Sequence, residues 1–217
     1  MAKASAKAIK PKEKPRRTQQ ERREGTVRKL LDAATSTLIE VGWSLASVQR
    51  ICARAGVSQG ALFRHFPSRE ALMVGVGEDV GHQLLVRYRV EFEALGKEQE
   101  DLVAAMRLVR DTCRSRLNQA WYELRMAART NDTLRHSLEP VCKRYYDDIE
   151  RLARVLLPDL ATALGDRFSV LVGTLLVMFD GEVMQRFVVK MPKVEEARLE
   201  LLAGAVSLFT SYSRASR

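Results

Sequence analysis

Ser47–Arg69 reads SVQRICARAGVSQGALFRHFPSR. The spacing predicts two short helices joined by a tight turn. Ser47 is a suitable N-cap, because its hydroxyl can accept a bond from an otherwise unpaired backbone N–H. Val48, Ile51 and Cys52 then share one face. Gly56 can adopt the left-handed conformation that ends a helix. Val57 is apolar, and Ser58 is a second N-cap. Leu62 and Phe66, four apart, pack back on the first apolar pair. That leaves Gln59, Gly60, Ala61, Phe63, Arg64 and His65 on the other faces. Pro67 stops the second helix and Ser68 caps a third.

This is helix-turn-helix spacing, in which the N-terminal residues of the second helix meet base edges in the DNA major groove. Gln59 can hold adenine by two hydrogen bonds. Gly60 and Ala61 let the backbone approach, and Arg64, His65 and Arg69 can meet phosphates. The capping serines Ser47 and Ser58, the aromatic Phe63, and Arg28 on the preceding helix complete the expected DNA-facing set. An ordinary αα-hairpin in a helical bundle uses the same small residues, glycine turn and caps, so charge has to help decide.

Residues 1–69 hold fifteen Lys and Arg against five acids. The whole chain has a formal charge of +9, so the remaining 148 residues sum to −1. The basic charge sits with the motif, as a polyanion-binding half requires. Residues 1–21 are rich in Lys, Ala, Pro and Arg and form an expected disordered basic arm. Such an arm can follow phosphates or simply stay solvated.

Residues 26–72 resemble the DNA-binding domain of the tetracycline-repressor (TetR) family of bacterial regulators. The matching pieces are LLDAATSTLIEVGW (30–43), SVQRICARAGVSQGALFRHF (47–66) and PSREAL (67–72). Phe63 stands where the family has a tyrosine whose hydroxyl often touches a phosphate. Arg69 stands for a lysine and keeps its charge. The resemblance implies a C-terminal helical domain with a small-molecule cavity between helices four to eight. It also implies a dimer made by the last two helices.

The rest of the chain reads as helical. Helix 1 is expected from Glu24 to Val41, with Val27, Leu30, Leu31, Ala34, Leu38 and Val41 as its buried stripe, Gly42 at its end and Trp43 anchoring the turn. Helix 4 runs from Ser68 toward Phe92 and holds Gly75, Gly77 and Gly81. Those glycines either weaken the helix into a hinge or make room for a neighbour. Glu98–Gln119 and Ala120–Arg129 follow, then a long segment to Leu157 that bends or restarts at Pro140 and ends at Pro158. Arg167–Val189 is apolar enough to demand burial on most sides. Pro192 breaks it, and Val194–Tyr212 is a last amphipathic helix. Within Arg167–Val189, Asp180 and Glu182 need partners, and Arg186, four residues after Glu182, is at the right spacing for that one.

The expected fold is therefore all-α, with residues 22–69 as the helix-turn-helix domain and residues 70–217 as the ligand-binding and dimerisation domain. Tyr122, Arg125, Met126, Tyr145, Met178 and Phe179 are the expected ligand lining, with Arg125 suited to an acidic ligand. With 46% hydrophobic and 29% charged residues the composition is that of a soluble globular protein. The longest nearly apolar run, Phe168–Phe179, falls short of the about 20 residues of a membrane span. Three scattered cysteines point to a reduced cytoplasm, and neither cysteines nor histidines have metal-ligand spacing, so no metal and no cofactor are expected. No catalytic motif is present. The reading is a homodimeric repressor that binds a palindromic DNA operator and is released by a small molecule. An activator or ligand-independent regulator is the first alternative, and an enzyme with an accessory DNA-binding domain the second.

Overall fold

The computed structural model describes residues 18–96 and 101–215, with side chains through Ser211. These form ten helices and no strand: α1 Gln19–Leu45, α2 Val48–Ala55, α3 Gln59–Phe63, α4 Arg69–Ala94, α5 Leu102–Cys113, α6 Arg116–Ala128, α7 Asp132–Leu156, α8 Pro158–Leu164, α9 Arg167–Arg186 and α10 Pro192–Ala215. The all-α expectation holds. Most of the basic arm, residues 1–17, lies outside the described residues. Its last residues belong to α1: Thr18 and Glu21 form a reciprocal capping box, at 3.1 and 2.8 Å, that starts the helix earlier than the apolar stripe suggests. Gly42, at φ 73°, breaks the helical path where a glycine end was expected, and one further turn carries the chain to Leu45.

α4 is the central element, packed on α1, α5, α6 and α7. Its glycines are points of close approach. A methyl group on Gly77 would lie 3.0 Å from Leu138 and 3.2 Å from Trp121. On Gly75 it would lie 3.1 Å from the Phe66 ring, and on Gly81 3.2 Å from the Tyr145 ring. Packing therefore explains these glycines, and the room is needed by Phe66 after α3 and by α6 and α7 as well as by Leu31 of α1.

Several helix ends differ from the periodicity. The stretch expected as one helix to Gln119 divides at Ser115, whose hydroxyl caps α6 by accepting from Asn118 N–H. Apolar spacing continues across that joint, so it leaves no trace in the stripe. Pro140 does not interrupt α7. It and His136, whose carbonyl loses its helical partner, are both exposed, so water can satisfy that carbonyl. Pro158 opens α8 at its first turn, a position that proline favours.

α9 and α10 are covered only in part. Phe168, Leu176, Phe179 and Val183 face the core, yet Val170, Val177, Leu201 and Leu208 each remain at least 65% exposed. The burial expected on most sides of α9 is thus one-sided within a single chain. By length and composition α9 is apolar enough to cross a membrane. Its acids are tied to neighbouring helices instead. Glu182 accepts from Arg114 of α5–α6 at 2.5 Å and from Arg198 of α10 at 2.6 Å. Arg186, the partner expected from spacing, pairs with Glu195 at the start of α10.

Candidate nucleic-acid interface and internal cavity

Local signals build the α2–α3 unit. Ser47, Ser58 and Ser68 each accept from the backbone N–H three residues on, at 3.0–3.2 Å. Gly56, at φ 66°, turns the chain between the helices, and only glycine adopts that conformation without strain. Ile51, Cys52 and Leu62 are buried, which leaves Gln59, Gly60, Phe63 and Arg64 exposed and Ala61 half-exposed. The side chains of Gln59 and Arg64 bond to no described residue. They stand together with the capping serines on an open surface, the arrangement a major-groove reader needs.

Three of the expected DNA-facing residues are placed differently. Arg69 is half-buried. Its guanidinium lies 3.8 Å over the Trp43 ring and donates to the Trp43 carbonyl at 2.5 Å and the Ala46 carbonyl at 3.0 Å. It holds the end of α1 against the start of α4. Arg28 forms a two-point pair with Asp79 of α4, at 2.5 and 2.6 Å, and also meets Asp32. Burial disfavours the charged form of Asp79, but the Arg28 hydrogen bonds and charge outweigh it and lower the carboxyl's pKa. His65 is half-buried, with Nδ1 enclosed and unbonded among the described residues. Charge and proximity in sequence could not separate Arg28 and Arg69 from Arg64, because their long-range partners are 23 to 51 positions away.

A further link joins the two halves. Glu123 of α6 accepts the Trp43 backbone N–H at 2.9 Å and packs against Gly42. α1 is thereby fixed to the α4–α7 body at three points: Arg28–Asp79, Arg69–Trp43 and Glu123–Trp43.

Between α4, α5, α7 and α9 the body holds a partly open apolar cavity of about 90 Å³, lined by residues that include Tyr88, Phe92, Leu108, Ile149, Leu152 and Leu176. A smaller void of about 10 Å³ adjoins it at Tyr88 and Leu176 and is walled by Cys113, Asn118, Trp121, Tyr145, Tyr146 and Asp180. Of the six expected lining residues, Tyr145 reaches these walls. Tyr122 and Arg125 stand one layer behind, donating to the two oxygens of Asp180 at 2.8 and 2.5 Å. Arg125 is thus already neutralised. Met126 is exposed on the outer face of α6, while Phe179 and Met178 pack into the core. Sequence reasoning missed Asn118. A lone asparagine on an amphipathic helix carries no signal until the fold encloses it.

Burial pushes the Cys113 thiol up to about 12, and the charge of Asp180 adds to the effect. Burial and Asp180 likewise raise the Tyr122 hydroxyl, which therefore stays protonated and donates. No group of three or more His, Cys, Asp or Glu side chains among the described residues could hold a metal.

Residues 30–76 match the bacterial regulatory proteins of the tetR family. An uncharacterized HTH-type transcriptional regulator of Mycobacterium tuberculosis is 37% identical over 191 residues, spanning 88% of this chain and 97% of that one. A transcriptional regulator from Rhodococcus sp. Rha1 superimposes with a TM-score of 0.65 at 24% identity, covering 83% of this chain and 95% of that one. The multidrug binding protein EbrR, solved with imidazole, gives a TM-score of 0.61 at 21% identity, covering 83% and 93%.

Proposed function

The chain belongs to the TetR family of bacterial transcriptional regulators, and from that premise we propose that it is a dimeric repressor which binds a palindromic operator and is released by a small molecule held in the α4–α9 cavity. The observation that carries DNA reading is the open Gln59–Arg64 face of α3, framed by caps and free of internal partners. The cavity supports the effector part. It lies against α4, which begins at the Arg69 anchor and carries Asp79, so a change in its volume reaches the DNA-binding half directly.

A second copy is the occupant that the uncovered faces of α9 and α10 call for. Val170, Val177, Leu201 and Leu208 leave two long helices apolar outward, and two such pairs close into a four-helix bundle. Ala205 is exposed on α10 beside Gly204, so Ala205→Arg should give monomers with poor operator binding. Light scattering checks this, and a monomeric wild type at micromolar concentration would defeat the dimer. Fluorescence anisotropy with DNA from upstream of the protein's own gene tests the whole reading. Binding should protect an inverted repeat with half-sites about 34–36 Å apart. Equal affinity for random DNA would defeat operator reading. The protein is not an enzyme, and a cytoplasmic location follows from this role.

A further inference from the structure

The cavity and the small void beside it differ in chemistry. No polar atom faces the cavity. One residue lining the void has a buried acceptor without a partner. Asn118 is 4% exposed, and its Nδ2 donates to the Cys113 carbonyl at 3.1 Å and the Tyr122 hydroxyl at 3.0 Å. That bonding fixes the amide's orientation, since a flipped amide would set its oxygen against the carbonyl oxygen of Cys113. Oδ1 is left buried and unbonded among the described residues, and Asn118 is one of the residues that line the void.

The surroundings reject an anion. Neither space is lined by Lys, Arg or His. Arg125, which lies behind Asp180, is held by it. The same carboxylate adds to burial in raising the Cys113, Tyr88 and Tyr145 groups, the sign of a locally negative field. A cation fares little better, because the one carboxylate in the wall, Asp180, already has two donors. A buried charge without its own partner is strongly disfavoured.

We propose that the effector is an uncharged, largely apolar molecule that places one hydroxyl or N–H donor on Asn118 Oδ1. This rests on the ligand-responsive reading above. The apolar body fills the space between Phe92, Leu108 and Leu152. The cavity, at about 90 Å³, is smaller than the roughly 300–1,000 Å³ of a typical ligand site, so binding parts the helices around it. The donor completes the unsatisfied acceptor.

Three ten-carbon probes test this on the full chain at neutral pH: 1-decanol, decanoate and decylammonium. Calorimetry gives their affinities, and the fluorescence of Trp121, at the wall of the void, reports whether each probe enters there. Decanol should bind more tightly than either charged probe by about tenfold or more, because each of those must bury a charge without its own partner. Asn118→Leu should lose about tenfold for decanol, the equivalent of one hydrogen bond, while its helical circular dichroism persists. The wild-type ranking needs no variant, so a poorly folded Asn118→Leu leaves the test intact. Tighter binding of decanoate or decylammonium overturns the ligand class and leaves the ligand-responsive reading standing. Binding by none of the three overturns both.

Discussion

On α3, Gln59 and Arg64 are exposed and bond to nothing in the described chain, whereas behind the cavity Tyr122, Arg125 and Asp180 satisfy one another. At the seam between the two halves, Arg28 and Arg69 are engaged in the same way. A polar group left open marks where an outside partner is expected; one closed on itself marks where the fold is held. On the helix-turn-helix half that distinction separates Arg64, proposed to meet DNA, from Arg28 and Arg69, which hold the frame, although all three are basic.

The largest expected effect falls on the frame. Arg69→Ala removes two charge-assisted hydrogen bonds to carbonyls and the stacking on Trp43. It should lower unfolding stability by about 3 kcal/mol. Thermal denaturation at fixed protein concentration should show a drop of roughly 6–12 °C. A variant with normal melting but evenly weakened DNA binding would return Arg69 to the phosphate-contacting set. Gln59→Ala should do the reverse. It should cost roughly 1–3 kcal/mol on the preferred operator and blur one base position. Because Gln59 is exposed and unbonded within the chain, its melting temperature should hardly move. Equal losses on specific and random DNA would count against base reading.

Gly77→Ala ranks next. The added methyl meets Leu138 and Trp121 at 3.0 and 3.2 Å. Overpacking costs about 1–3 kcal/mol, and alanine's better helix propensity returns about 1. A net loss up to about 2 kcal/mol is expected in urea unfolding. A more stable variant with slower amide exchange across α4 would instead favour a hinge.

The helix-turn-helix was legible in the sequence because its determinants are local. Ser47, Gly56, Ser58 and Ser68 act on backbone within three residues, and the structure places each as capping chemistry requires. The C-terminal body was legible as helical but not in its joints. Ser115 divides α5 from α6 without disturbing the apolar stripe, and Pro158 starts a helix it was expected only to end. The site was least legible where partners are distant. Asp180 was recognisable as an acid needing a partner, but that partner is 55 positions away on α6. Met126 and Phe179 have the right composition for a ligand site, and the fold turns one outward and the other into the core.

The smallest effect sharpens the seam itself. Asp79 is largely enclosed, at 14% side-chain exposure, while Arg28 remains 44% exposed. Burial alone would raise the Asp79 pKa, but Arg28 outweighs it, so the folded carboxyl titrates below its ordinary value of 3.8. A depressed carboxylate stabilises the fold at every pH above its unfolded value, and that contribution fades as pH falls through the lower folded value. Because Arg28 is open to water, the contribution at neutral pH should be about 1 kcal/mol rather than the several of a buried pair. Asp79→Asn removes the titrating group and leaves Arg28 with Asp32. At pH 7 the variant should be less stable than wild type by about that 1 kcal/mol, and the gap should narrow as acid protonates Asp79 below about pH 4. Other carboxylates lowered by their partners, such as Glu195, titrate in both proteins and cancel from the difference. A gap that persists unchanged into acid would mean that the carboxylate's charge contributes nothing, and that Arg28 is as free to meet a phosphate as Arg64.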